Sequence, residues 1–255
     1  MPDRSLSLAG QVTLVTGGSS GIGQAIALAC ARSGADVAVT YRANRAGADD
    51  TVSAITALGR RSAARALDLT SEADIRALAP WMRDTFGRVD TWINNAGADI
   101  LTGSAATLTP LQRLDLLLTV DLRGTILASW EAVTLMQPQG RGSIINMSWD
   151  HVVTGMGGTN PQLFAAVKGG VLAFSKSLAR SVAPAVRVNV IAPGWIETSF
   201  GEGVDEQVRR SVADSTPLKR WGTPDDVAGA AVYLASPAAD FLTGQTIMVG
   251  GGLVM

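Results

Sequence analysis

Three groups of residues in this chain of 255 have types and spacing suited to chemistry. The first is Thr16-Gly17-Gly18-Ser19-Ser20-Gly21-Ile22-Gly23, which follows a short apolar run and opens a helical pattern. Glycines there permit a tight turn and let the backbone approach a pyrophosphate, which then meets the positive end of the helix. The second is Val39-Thr40-Tyr41-Arg42, at the end of the next apolar run. An NAD site places Asp or Glu at this point for the ribose 2′-hydroxyl, whereas an arginine serves a 2′-phosphate. No acidic residue occurs between Asp36 and Asp49, so Arg42 favours NADP(H) over NAD(H); the alternative is a solvated arginine beginning a loop. The third is His151, the one histidine, beside Asp150 just past a strand. A histidine so placed titrates near neutrality, and a carboxyl in an apolar pocket has its pKa raised and can donate a proton. The alternative is a loop histidine with a satisfied hydrogen bond.

The elements that must position these groups alternate along the chain. Strands are expected at 12–16, 36–41, 62–68, 91–94, 143–147, 186–191 and 246–249, and helices near 23–32, 49–58, 72–86, 111–136, 162–182 and 224–235. Several strand segments are near-continuous apolar runs, the mark of strands covered on both faces and hence of a parallel sheet. The expected fold is α/β: a doubly wound, Rossmann-type, mainly parallel sheet of about seven strands with helices on both faces. No repeat, linker or composition shift divides the chain, so residues 1–255 read as a single dinucleotide-binding domain. Ligands in such sheets bind at the carboxyl ends of the strands, near the switch in strand order. That places the site near Gly17–Gly23, Asp68, Asn94–Gly97, Met147–His151 and Ile191–Thr198.

Composition removes other classes. With 21 Lys+Arg against 22 Asp+Glu, no basic footprint exists for nucleic acid. The lone Cys30 and lone histidine leave no metal site to expect, and Cys30 sits in apolar surroundings that suggest a buried thiol. No apolar run is long enough to span a membrane, and the start lacks the apolar block of a signal peptide. The expected setting is cytoplasmic.

Taken together, Thr16-Gly17-x-x-x-Gly21-Ile22-Gly23, Asn94-Asn95-Ala96-Gly97, Lys168 and Pro193-Gly194-x-Ile196-x-Thr198 resemble the short-chain dehydrogenase/reductase family. The resemblance runs from about Leu6 to Gly252, and 217–224 and 242–245 share it, although Gly250 stands where the family usually has Asp. It implies that Gly17, Ser19, Ser20, Gly21, Ile22 and Gly23 line the pyrophosphate, with Tyr41 and Arg42 at the adenosine ribose. Asp68 with Leu69 would frame the adenine, and Asn94, Ala96 and Gly97 the ribose on that side. Lys168 would hold the nicotinamide ribose hydroxyls, with Ile196 and Thr198, beyond Pro193 and Gly194, at the carboxamide. A homotetramer packed through the helices near 111–136 and 162–182, and a substrate loop at about 195–217, are further expectations by analogy.

The same resemblance exposes departures. The family's tyrosine, four residues before the lysine and on the same helix face, protonates a carbonyl oxygen as hydride arrives. Here that position is Phe164, and the two tyrosines, Tyr41 and Tyr233, belong elsewhere. The family's serine position falls on Trp149 if the strand is matched directly, or on His151 if counted back from the tyrosine position, and Ser148 is one residue off. The family's active-site asparagine is Asp121. Lys168 alone of the four is kept.

Three readings follow. A replacement acid, His151, Asp150 or Asp121, drives an ordinary reduction. Otherwise the acceptor is an iminium, enone or quinone that needs no strong acid, held among Trp149, Phe164, Trp195 and Phe200, unless these rings are only loop packing. In the third, the chain binds the nucleotide without redox chemistry, as a regulatory sensor or non-redox catalyst. The expected activity is NADPH-dependent hydride transfer to C=O, C=N or conjugated C=C of a small to medium apolar or aromatic molecule, with a non-standard proton donor.

Overall fold

Adjacent residues of the strands enter opposite cores, which explains why the sequence runs are apolar without alternation. Leu14, Trp92 and Ile144 face one core, and their neighbours Val15, Ile93 and Ile145 face the other. This is seen in a computed structural model, which describes residues 5–198 and 204–255. In chain order the elements are β1 (Val12–Val15), α1 (Gly21–Arg32), β2 (Asp36–Tyr41), α2 (Arg45–Ala57), β3 (Ser62–Ala66), α3 (Glu72–Arg76), α4 (Leu78–Phe86) and β4 (Thr91–Asn94). There follow α5 (Pro110–Leu117), α6 (Thr125–Gln139), β5 (Gly142–Met147), α7 (Thr159–Val182), β6 (Val186–Pro193), α8 (Glu206–Ser215), α9 (Pro224–Ala235) and β7 (Thr246–Val249). The sheet has seven strands in the order β3-β2-β1-β4-β5-β6-β7, and every pair is parallel.

Helices α1 and α9 cover one face through Ile26, Cys30, Val227 and Ala231. Helices α4, α6 and α7 cover the other through Met82, Ala128, Met136 and Leu178. The strand order reverses between β1 and β4, so their carboxyl ends splay apart and open a crevice. Thr16 bridges its floor, its hydroxyl accepting the N–H groups of Asn95 and Ala96 at 3.0 Å each.

Three elements differ from the sequence expectation. The helix expected at 72–86 is two, α3 and α4, meeting at Ala77. The one expected at 111–136 starts in a capping box between Thr109 and Gln112, then widens into a π-helical stretch, Leu118–Gly124, before α6. Helix α8 lies inside the segment read as a substrate loop; its apolar side is only Val208, Val212 and Ala213, and none of its residues is buried. Among the described residues, no helix is long and apolar enough to cross a membrane, and no group of three His, Cys, Asp or Glu side chains is placed to hold a metal. Cys30 is buried and free, and burial pushes its thiol pKa up to about 12, which leaves it inert.

Candidate active site

The Gly-rich turn is shaped by close backbone approach. Gly17 and Gly21 have φ of 68° and 53°, in the left-handed region. A Cβ on Gly23 would lie 2.1 Å from the Gly17 carbonyl oxygen. Ser20 precedes α1 without capping it through its side chain, so the first N–H groups of α1 are free for an anion. The turn is fastened by Thr40, which accepts from Gly17 N–H through its hydroxyl at 3.2 Å, and by Asn44, which donates to the Ser19 carbonyl at 3.2 Å.

This turn forms one end of a cleft of about 1070 Å³ running along the carboxyl ends of the strands. Of the residues expected at the nucleotide, Gly17, Ser19, Ser20, Gly21, Ile22, Gly23, Tyr41, Arg42, Asp68, Leu69, Ala96, Gly97, Lys168, Pro193, Gly194, Ile196 and Thr198 line it. Arg42 is exposed and makes no hydrogen bond or ion pair among the described residues, so its guanidinium is free. It stands near Asp68, whose carboxyl is held below the usual range by the Thr70 N–H and hydroxyl and by the Arg42 charge. Asn94 does not line the cleft. It is buried, accepts from Trp92 Nε1 at 3.0 Å, and donates to Ser129 and to Asn146 at 3.0 and 2.8 Å.

At the other end, α7 carries Phe164 and Lys168 one turn apart on the same face, and both line the cleft with Trp149. Lys168 Nζ lies 2.8 Å from Asp121 Oδ2, in a pair with side chains only 13% and 2% exposed. Asp121 projects from the π-helical stretch, and its other oxygen accepts the Ala98 N–H at 2.8 Å. A second Lys168 proton is directed at the Met147 carbonyl, 3.4 Å away, which leaves a third N–H for a ligand. Ser148 cannot serve as the missing acid: its hydroxyl donates to the Lys168 carbonyl at 2.9 Å.

Asp150 and His151 are brought together but stand off the cleft wall. His151 Nδ1 is 2.6 Å from Asp150 Oδ1, and its ring stacks on Trp149 at 4.9 Å. Asp150 is wholly buried, and its Oδ2 has no partner among the described residues. That oxygen fills the space left by Gly194 and Gly250, where a Cβ would come within 2.5 and 2.4 Å of it. Burial raises the Asp150 pKa, with hydrogen bonds from His151 pulling the other way. A carboxyl raised in the native state contributes fully below its unfolded value, about 3.9, and loses that contribution as pH rises through the native value. Asp150→Asn removes the loss. Its stability relative to the parent is therefore expected to climb from about pH 4 and then level off, read as urea midpoints across pH. A parallel pair of profiles would show that Asp150 titrates alike in both states.

Sequence reasoning missed Asp99, Leu101, Leu116 and Met156, which also line the cleft. Partial burial pushes the Asp99 carboxyl up, but the Thr102 hydroxyl and the Leu101 and Thr102 N–H groups outweigh it and hold it below the usual range. Trp195 also lines the cleft, packed against Trp221 at 5.1 Å, whose indole N–H donates to the Arg209 carbonyl of α8. Phe200, expected in the same aromatic wall, lies outside the described residues.

The fold is a Rossmann-like, doubly wound α/β fold with its cleft at the switch in strand order. Residues 17–254 match the family model described as enoyl-(acyl carrier protein) reductase. The chain is 36% identical to the 3-oxoacyl-[acyl-carrier-protein] reductase of Synechocystis, covering 98% of this chain and 99% of the relative. It is 37% identical to an uncharacterized oxidoreductase of Methylorubrum extorquens over 96% of this chain and 98% of the relative. A crystal structure of a putative short-chain alcohol dehydrogenase from Sinorhizobium meliloti superposes with a TM-score of 0.89 at 33% identity, covering 97% and 98% of the two chains. A 7α-hydroxysteroid dehydrogenase solved with NADH and 7-oxo glycochenodeoxycholic acid gives 0.89 at 29% identity over 98% and 97%. The chain belongs to the short-chain dehydrogenase/reductase family, as an oxidoreductase of that type.

Proposed function

We propose that the protein is an NADPH-dependent reductase of a small to medium apolar or aromatic molecule, with a catalytic set altered from that of its family. The observation that carries the reading is the two-ended cleft: a free helix N-terminus and Arg42 at one end, Lys168 with Phe164 and Trp149 at the other. Gly17, Gly21 and Gly23 leave the room that a dinucleotide pyrophosphate needs, and the first N–H groups of α1 point at it. The bound dinucleotide supplies the hydride. Arg42 holds the 2′-phosphate, and the third N–H of Lys168 holds the nicotinamide ribose. The acceptor lies against Trp149, Phe164 and Trp195, which exclude water from the reacting carbon. Asp150 and His151 do not line the cleft, so neither is placed to give the acceptor a proton.

The working form is a homo-oligomer, tetrameric by analogy with the family, in the cytoplasm. Trp130 of α6 is 52% exposed beside Phe174 of α7, an apolar surface on the two helices that would pack against a second copy.

Fluorescence titration with NADPH and with NADH tests the cofactor end. NADPH is expected to bind at least ~10-fold more tightly, and Arg42→Ala to remove that preference while sparing NADH. Failure to bind either nucleotide would overturn the oxidoreductase reading.

A further inference from the structure

The acceptor half of the cleft has an unusual charge arrangement for a site that must reduce a neutral carbonyl. A carbonyl oxygen becomes an alkoxide as hydride arrives and needs an acid beside it. Phe164 and Trp149 supply none, and the Ser148 hydroxyl is committed to the α7 backbone. Among the described residues Lys168 is the one cation on this part of the wall, and Asp121 compensates its charge at 2.8 Å. Asp99 then stands as a further carboxylate lining the cleft, next to Ala98, whose N–H is held by Asp121. Its oxygens accept from the Leu101 and Thr102 N–H groups at 2.8 and 3.0 Å and from the Thr102 hydroxyl, but no cation pairs with it among the described residues. Arg113 lies behind the wall, bonded to Asn160 and to the Ala106 carbonyl, and does not line the cleft.

Resting on the reductase reading above, we infer that the acceptor is a cation: an apolar molecule carrying an iminium group, C=N⁺. The iminium carbon gains the hydride with its electron pair. The C=N π pair becomes the nitrogen lone pair, and the reduced nicotinamide dinucleotide, the co-reactant, is oxidised. No proton is exchanged with the protein, so a phenylalanine in place of an acid costs nothing. The faces of Trp149 and Phe164, 6.3 Å apart and tilted by 59°, receive the delocalised cation. Asp99 adds attraction through the cleft and disfavours carboxylate, phosphate and enolate acceptors.

The test compares two bicyclic probes of nearly one shape: the N-methyl-3,4-dihydroisoquinolinium cation and the neutral ketone 1-tetralone. Binding is read by tryptophan fluorescence in the presence of NADP⁺, where no hydride is available, and turnover by NADPH oxidation. The iminium is expected to bind about 10-fold more tightly and to be reduced at least ~100-fold faster than the ketone. Asp99→Asn keeps the acceptor oxygen for Leu101 and Thr102, and is expected to remove most of the binding preference without moving the melting temperature. Faster reduction of the ketone, of a quinone or of an enone would overturn this inference while leaving the reductase reading intact. So would a binding preference that survives Asp99→Asn. Failure to bind NADPH in the same samples would remove both.

Discussion

Replacing Lys168 by methionine is expected to destabilise the fold by about 3 kcal/mol and, through the lost hold on the nicotinamide ribose, to cut turnover at least ~100-fold. Methionine fills much of the same volume, so the loss isolates the charge. Asp121, only 2% exposed, would keep the Ala98 N–H but lose its counter-ion, leaving an uncompensated buried carboxylate. Adding Asp121→Asn to Lys168→Met is expected to restore most of the stability, because the amide oxygen still accepts from Ala98, and none of the turnover. Urea unfolding of the two variants beside the parent decides the first point, and steady-state rates decide the second. Equal stability of the parent and Lys168→Met would show that the 2.8 Å pair carries no charge worth compensating. A buried ion pair is on balance close to neutral for stability against an apolar replacement of both partners. Its presence at the mouth of a cleft is therefore better explained by what Lys168 does there than by what it adds to the fold.

Much of this architecture is legible in the sequence because its signals are local. The runs at 12–15, 36–41 and 144–147 are largely apolar without alternation, the pattern of short strands covered on both faces. The Gly17–Gly23 turn is legible for the same reason, its residue types being required by backbone geometry. What escaped is non-local or aperiodic. The π-helical stretch that turns Asp121 toward Lys168 leaves no mark at a period of 3.6, so the pair appears only once α7 is packed against it. Asn94 was expected at a ribose, yet it shares a strand face with Trp92, two residues back, and that face is buried. Asp99 sits in a loop held by its own hydrogen bonds to residues two and three further on, a pattern that carries no signal about which cavity it lines. Asp150 and His151 are neighbours in sequence just past β5, but that neither lines the cleft follows only from the packing around them.

Gly23→Ala is expected to weaken nucleotide binding at least ~100-fold and to destabilise the fold by about 1–3 kcal/mol. The same substitution at Gly229 is expected to stabilise by up to ~1 kcal/mol. Both glycines lie within helices, α1 and α9, so intrinsic propensity favours alanine at each. The difference is what the new methyl meets. At Gly23 it would lie 2.1 Å from the Gly17 carbonyl oxygen, 2.5 Å from Asn95 Nδ2 and 2.8 Å from the Gly17 carbonyl carbon. Two of those atoms are backbone and cannot rotate away, so the turn must open and α1 must retreat from it. The N–H groups that face the pyrophosphate would then lose their common aim, and the Asn95 bonds to the Thr16 and Gly17 carbonyls would break with them. At Gly229 nothing lies within 4 Å, and only the entropy of the unfolded chain changes. Urea midpoints with NADPH titrations on both variants separate the two effects. Parental affinity in Gly23→Ala would mean that the contact of α1 with the Gly17 carbonyl does not shape the turn. Weakened binding in Gly229→Ala would instead place part of the nucleotide's support in α9, on the far side of α1.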